Sequence, residues 1–504
     1  MKKYILIISV FFTIGISGCK KDFLSKEVNP NAPSVTTPQL TLAGALGTSA
    51  SIVVNDYPQY GVWAGYWTTS GNYVPNQDIN QYQFTNQSFN GDWFNWYSNL
   101  TNYNNLQTVA SKDPSLANFQ AIAMIMKVYG FQHLVDNYND VPYTQAFQPL
   151  TILFPAYDKG LDIYHDLGKQ LDAAIALINK SGATAASPGT SDIVFGTSAN
   201  VVLEMKNWKK FANSLKLRLA IRVSSKTPGD ALVTDLASTA SEGYLDGTVE
   251  AAANPGYSNT AGKQAPFYGT YGIDATGNPT FGNVYYRANA YSVNTLTGFN
   301  DPRVGQLYSL VLPVGAPATN PPSVVHGNVF GDTKATLLTN SNTSGMGPGL
   351  LISPAQNAVL FSGAESLFLQ AEAAQNAYIP GTAQTLYESG ITASFEELGL
   401  TAAQAATYYG QAIANVGWAS SPNKEQAIIT QKWIALNSYF NFEAWNEYRR
   451  TGFPALPSSI DPSAISTTLP TRIFYPLSEL NTNPTNLAKE GTIDKFNSKI
   501  FWAK

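Results

Sequence analysis

Between Tyr57 and Tyr97 the chain places 13 aromatic residues in 41 positions: Tyr57, Tyr60, Trp63, Tyr66, Trp67, Tyr73, Tyr82, Phe84, Phe89, Trp93, Phe94, Trp96 and Tyr97. The same window holds 11 Asn or Gln residues, two acids (Asp78 and Asp92) and no Lys or Arg. A pyranose ring presents a flat C–H face and a rim of hydroxyls, so a site for it needs aromatic platforms beside amides that both donate and accept. An anionic ligand needs basic groups, and this window has none. Trp63, Tyr66, Trp67, Asn72 and Tyr73 lie among Gly61, Gly65 and Gly71, which predicts a loop with exposed rings. Trp93, Phe94, Trp96, Tyr97 and Leu100 recur at helical spacing and read as core. A second patch holds Tyr268, Tyr271, Tyr285, Tyr286, Asn289 and Tyr291.

Acid–base chemistry finds less support. Glu443 and Glu447 stand four apart on one helix face, but Arg449 and Arg450 are close enough to make ordinary helix ion pairs with them. The three histidines, His133, His165 and His326, share no metal-ligand spacing, and His133 with Asp136 reads as a satisfied core pair. The segment from Asp274 to Pro279 starts like a calcium loop, yet Tyr285 stands at its twelfth position, where a glutamate is needed. No nucleophile elbow or phosphate-cradling glycine loop occurs. The residues therefore predict no catalytic set, no metal site and no cofactor.

The elements that must position these residues are helices. Asp113-Pro114 is a start signal, followed by Phe119, Ile122, Met126, Tyr129 and His133, so a helix is predicted near 115–136. Similar stripes predict helices near 157–181, closed by Gly182, then near 205–223 (Trp208, Phe211, Leu215) and near 364–377 (Leu367, Phe368, Ala371). A long one near 424–451 (Ile429, Trp433, Leu436, Phe440, Ala444, Trp445, Tyr448) stops at Gly452. Between them, 55–95, 180–200, 252–300 and 313–352 lack helical period and are rich in Gly, Asn, Ser, Thr and Pro. Loops of that length are where binding surfaces are built. No linker interrupts the chain, so one composite domain over 38–504 is expected.

Composition narrows the classes. Net charge is −4, from 30 basic and 34 acidic residues, with no basic run beyond Arg449-Arg450, so a nucleic-acid footprint is missing. Charged residues make up 13% against roughly a quarter in an average protein. The single cysteine, Cys19, allows no internal disulfide. Lys2-Lys3, an apolar run from Ile5 to Ile16 and the small residues Ser17-Gly18 read as a secretory signal over 1–18, too short for a membrane span of roughly 20 residues. Ile16-Ser17-Gly18-Cys19 resembles the lipobox of bacterial lipoproteins, which implies lipidation of Cys19. The polar, turn-rich segment 19–37 then reads as a lipidated tether.

Several segments fall in a familiar order: Asn29-Pro30-Asn31-Ala32-Pro33, Asp140-Val141-Pro142-Tyr143, Trp208 through Asn213-Ser214-Leu215-Lys216-Leu217-Arg218-Leu219, Asp301-Pro302-Arg303, and Glu443-Ala444-Trp445-Asn446-Glu447-Tyr448-Arg449-Arg450-Thr451-Gly452. Together with the lipobox they resemble the SusD/RagB family of nutrient-binding outer-membrane lipoproteins. That resemblance implies a mainly α fold, with tetratricopeptide-like helix pairs as scaffold and long irregular loops as the binding face. It also implies a cell-surface location at the outer membrane and a TonB-dependent, SusC-like transporter as partner. Family members bind glycans or, in some cases, peptides, and as a rule are not enzymes. The expected ligand here is an oligosaccharide, bound through Trp63, Tyr66, Trp67, Asn72 and Tyr73 with Tyr285, Tyr286 and Tyr291. A peptide is the nearest alternative and would want a charged group for its terminus. A surface glycosidase and a purely structural lipoprotein are more distant.

Overall fold

The structure, a computed structural model, describes residues 36–55, 58–148, 150–196, 200–333 and 336–504. The signal segment, Cys19 and all of the tether except residues 36–37 lie outside the described residues.

The principal elements are α1 (Pro38–Asn55), α2 (Pro58–Trp63), β1 (Trp67–Thr69), α3 (Gly91–Ala110), α4 (Ala117–Tyr138), α5 (Gly160–Ser181), α6 (Val201–Ser224), β2 (Ala251–Ala253), α7 (Pro266–Tyr271), α8 (Phe281–Tyr285), β3 (Tyr286–Ala288), α9 (Ala290–Gly298), β4 (Ala358–Phe361), α10 (Gly363–Gln375), α11 (Ala383–Glu397), α12 (Lys424–Ala435) and α13 (Asn441–Thr451). The fold is mainly α. Its two small antiparallel sheets pair β1 with β3 and β2 with β4.

Sequential helices pack in pairs. Along α3 and α4, Trp96 meets His133 and Gln107 meets Lys127, so the two helices run antiparallel. The Asp113 carboxylate accepts from the Ser115 N–H at 2.9 Å and caps the turn before α4, as the Asp-Pro pair predicts. Gly182 and Gly452 stand as the caps of α5 and α13, Gly452 in the left-handed conformation at φ 80°. One hydrophobic core runs through α1–α6, the small sheets and the C-terminal segment to Trp502. A smaller cluster around Phe368, Tyr387, Phe395 and Ile428 joins α10, α11 and α12.

The long helix predicted near 424–451 is two helices. Its apolar stripe continues across the break, but Ser438 adopts φ 74° and the side chains of Asn437 and Ser438 turn inward as polar anchors. Asn437 Nδ2 donates to Tyr308 at 2.9 Å and to Ser292 at 3.2 Å, and Ser438 Oγ accepts from Trp67. These bonds replace the helical ones lost at the break.

Buried charge ties the layers together. Arg218 of α6 grips Glu365 of α10 with bonds of 2.8 and 3.0 Å, and Arg222 bridges Asp136 of α4 and Glu443 of α13. Glu447 holds Lys432 and Arg450, which also grips Glu372. Of the expected helix-local pairs, only Glu447 with Arg450 forms. Glu443 turns instead to Arg218 and Arg222, while the Arg449 guanidinium lies 3.5 Å from the centre of the Trp445 ring. Burial would raise the Glu443 carboxyl, but Arg218 and Arg222 overcome it and hold the group well below the usual range. His133 is a core residue, yet its partner is the Tyr129 carbonyl at 3.0 Å and the Phe442 ring, not Asp136.

Candidate ligand-binding surface

The glycines of the 57–73 segment make room for rings inside the protein. A Cβ on Gly61 would stand 2.5 Å from the Trp67 indole. Trp63, Tyr66 and Trp67 are 0–1% exposed, so the expectation of solvent-facing platforms at these three is corrected. Their polar handles are also spent inside: Trp63 Nε1 donates to the Ile79 carbonyl at 3.2 Å, Tyr66 donates to the Trp433 carbonyl, and Trp67 Nε1 donates to Ser438 at 2.9 Å. Tyr66 stacks on Trp433 with ring centres 5.0 Å apart, and Trp63 packs among Tyr60, Phe84, Phe89 and Trp445. A buried ring has no free face for a sugar.

Asn72 and Tyr73, beyond the buried rings, remain at the surface, exposed and half-buried respectively. The β1–β3 ladder (Trp67↔Ala288, Thr68↔Arg287, Thr69↔Tyr286) brings them beside the second patch. Tyr73 lies 5.6 Å from Tyr285 and 5.8 Å, edge to face, from Phe281. Phe281 stacks on Tyr285 at 5.1 Å with 27° between the rings, and is itself 66% exposed. Tyr285 is largely buried, with its hydroxyl on the Val74 carbonyl at 3.2 Å, so it backs the outer two rings. Val74, 67% exposed, extends the apolar surface.

Amides rim these rings. Asn72 Oδ1 accepts from the Asn340 N–H at 2.9 Å and from Ser70 Oγ at 3.1 Å, and Asn340 Oδ1 accepts from Arg287 Nε at 2.9 Å. The side-chain NH2 groups of Asn72 and Asn340 make no hydrogen bond among the described residues. The result is two outward aromatic surfaces beside amide donors.

The other members of the second patch divide. Tyr271 and Asn289 are buried, Asn289 bonding the Trp67 carbonyl at 3.2 Å and the Tyr291 N–H at 2.9 Å. Tyr286 is half-buried against Trp67 and Tyr271. Half-buried Tyr291 packs edge-on to Trp433, and burial pushes its hydroxyl up to about 12. Phe281, Asn340 and Arg287 were not anticipated. Phe281 and Arg287 flank Tyr285 and Tyr286 in sequence, a local signal, whereas nothing in the chain around Asn340 marks it.

A second aromatic surface is a cleft of about 520 Å³ between α3 and residues 142–155, lined by Trp93, Tyr97, Pro142, Phe147 and Ile152. Its lining includes the amides of Asn105, Gln145 and Gln148, of which Gln145 accepts from the Ala156 N–H at 2.8 Å and Gln148 donates to the Thr144 carbonyl at 3.0 Å. Among the described residues no group of three or more His, Cys, Asp or Glu could hold a metal ion. The Asp274 carboxylate accepts from the N–H groups of Thr276 and Asn278, which closes its own turn. No described helix is long and apolar enough to cross a membrane.

A family model described as SusD-like, starch-binding associating with outer membrane, matches residues 30–476. Among solved structures, a chitin-binding SusD homolog from Flavobacterium johnsoniae is 25% identical with a TM-score of 0.72, over 92% of this chain and 98% of its own. A SusD homolog from Bacteroides uniformis is 24% identical with a TM-score of 0.70, over 92% and 99%. A SusD-like protein from Bacteroides thetaiotaomicron is 21% identical with a TM-score of 0.73, over 93% and 99%. No curated protein matches the chain.

Proposed function

The chain belongs to the SusD-like family, and from that membership we propose that it is a cell-surface lipoprotein that captures an oligosaccharide and delivers it to a TonB-dependent, SusC-like outer-membrane transporter. The observation that carries the glycan reading is the pairing of outward rings with unsatisfied amide donors. Phe281 and Tyr73 offer apolar faces to the C–H side of a sugar, and the free NH2 groups of Asn72 and Asn340 suit its hydroxyl rim. Tyr285 stiffens the platform from below and Tyr286 lies beside it, whereas Tyr291 packs on Trp433 and makes no ring contact with the platform among the described residues. Trp63, Tyr66 and Trp67 hold the ladder on which this surface is mounted.

Lipidation of Cys19 would anchor the chain, since two or three acyl chains hold a protein that one would release. Capture without cleavage fits the internal pairing of Glu443 and Glu447, whose carboxylates face Arg218, Arg222, Lys432 and Arg450 rather than a cleft. Titration calorimetry of the protein against neutral and acidic oligosaccharides, with product analysis of the recovered ligand, tests the reading. Binding with intact recovery is expected. Hydrolysis that follows the purified protein, or no saccharide binding at all, would overturn it.

A further inference from the structure

Of the seven arginines in the chain, six pair with a carboxylate or lie over an aromatic ring, although the Nε of Arg222, Arg449 and Arg472 has no hydrogen-bond partner among the described residues. Arg218, Arg222, Arg303 and Arg450 each grip at least one carboxylate. Arg449 and Arg472 bond backbone carbonyls and lie over the Trp445 and Tyr475 rings. Arg287 differs. It is 8% exposed, no described carboxylate stands within 4 Å of it, and it lies over no ring. Its Nε is held by Asn340 and its Nη2 makes one long bond of 3.5 Å to the Val284 carbonyl. Nη1 has no acceptor among the described residues, and it lies where a Cβ on residue 345 would be only 2.5 Å away, a space left open by Gly345.

A guanidinium removed from water without a counter-charge is costly, and an anionic partner relieves the cost. Burial holds this group down at about 10, with the field of Tyr73 as its one opposing influence. Through Asn340 this cation is linked to Asn72 at the rim of the ring platform.

We propose that Arg287 makes this surface selective for an acidic saccharide, one whose sugar residue stacks at Tyr73 and Phe281 while its carboxylate is bound through Arg287 and the amides of Asn340 and Asn72. The proposal rests on the glycan-binding reading above and names the ligand class within it. A guanidinium fork matches the two oxygens of a carboxylate, and a partly desolvated cation discriminates strongly between a charged ligand and its neutral counterpart. The rings and the free amide donors suit the C–H face and hydroxyl rim of a uronic acid, and a peptide terminus is the competing occupant that the test separates.

The test is calorimetry with oligogalacturonate, alginate oligomers and glucuronate-containing oligosaccharides, each beside its carboxyl-reduced neutral form, and with short peptides bearing a free C-terminus. At least one acidic saccharide is expected to bind ten-fold or more tightly than its reduced form, with the difference shrinking as salt is raised. Arg287→Gln should abolish the difference and Arg287→Lys should keep part of it, with melting curves confirming that both variants fold. Should Arg287→Gln fail to fold, the salt titration and acid-against-neutral competition on the unaltered protein decide the matter alone. Equal binding of acidic and reduced forms would overturn the proposal and leave the glycan reading intact. Arg287-dependent binding of peptides alone would overturn it in favour of a peptide ligand. Binding of no saccharide and no peptide would remove the glycan reading itself.

Discussion

Trp67 Nε1 donates a 2.9 Å hydrogen bond to Ser438 Oγ, joining residues 371 positions apart. The bond fastens β1 to the break between α12 and α13, and β1 in turn carries β3, so the platform is registered against the helical scaffold by a buried indole. Trp67→Ala should therefore cost roughly 3 to 5 kcal/mol of stability through lost burial and a cavity. Ser438→Ala, which leaves the indole donor buried without a partner, should cost about 1 to 3 kcal/mol. Chemical denaturation measures both. A Trp67→Ala protein as stable as the parent would show that the ring is not core.

Glu443 is shared by Arg218 and Arg222 at the meeting of four helices. Removing its charge leaves buried cations incompletely compensated, so Glu443→Gln should destabilise by about 3 to 5 kcal/mol. Its effect should appear in the denaturation midpoint, with saccharide affinity unchanged while the protein remains folded. A change in affinity at full stability would place Glu443 in the binding site.

His133 gives the fold an acid limit. Burial pushes its imidazole from 6.5 down to about 4, so the unfolded chain takes up a proton that the folded protein refuses. The stability this provides is complete above about pH 6.5 and is lost as pH falls toward 4, roughly 3 kcal/mol in all. His133→Phe should flatten that part of the curve. Equal slopes for parent and variant in urea titrations between pH 6.5 and 4.5 would contradict the assignment.

Cys19 is the sole thiol in the chain. Cys19→Ala should move the protein from the membrane fraction to a soluble one and abolish incorporation of labelled lipid. Membrane partition unchanged by the substitution, with no label in the parent, would remove the anchor from the proposed function.

The scaffold was legible because long apolar stripes report which face of a helix is buried, and Asp113 and Gly452 marked ends that the structure keeps. The break at Asn437-Ser438 was not, since Trp433, Leu436, Phe440 and Ala444 keep their apolar spacing on both sides of it. At Trp63 and Trp67 neighbouring glycines suggested loop freedom, whereas Gly61 serves to admit an indole. Asn72, Tyr73 and Tyr285 do meet on one surface. The absence of basic groups held only for the local window: Arg287, opposite Thr68 in the ladder, is brought in by strand pairing that no local pattern encodes.

The ring platform is tested most directly by the affinity of Phe281→Ala and Tyr73→Ala for a saccharide that the parent binds, measured by calorimetry with melting curves on the same samples. Each outward ring is expected to contribute about 2 kcal/mol, so each variant should bind roughly thirty-fold more weakly. Phe281→Ala should melt within a degree or two of the parent, as a largely exposed side chain leaves little burial to lose. Parental affinity in both folded variants would contradict the assignment and move the search to the cleft lined by Trp93, Tyr97 and Phe147.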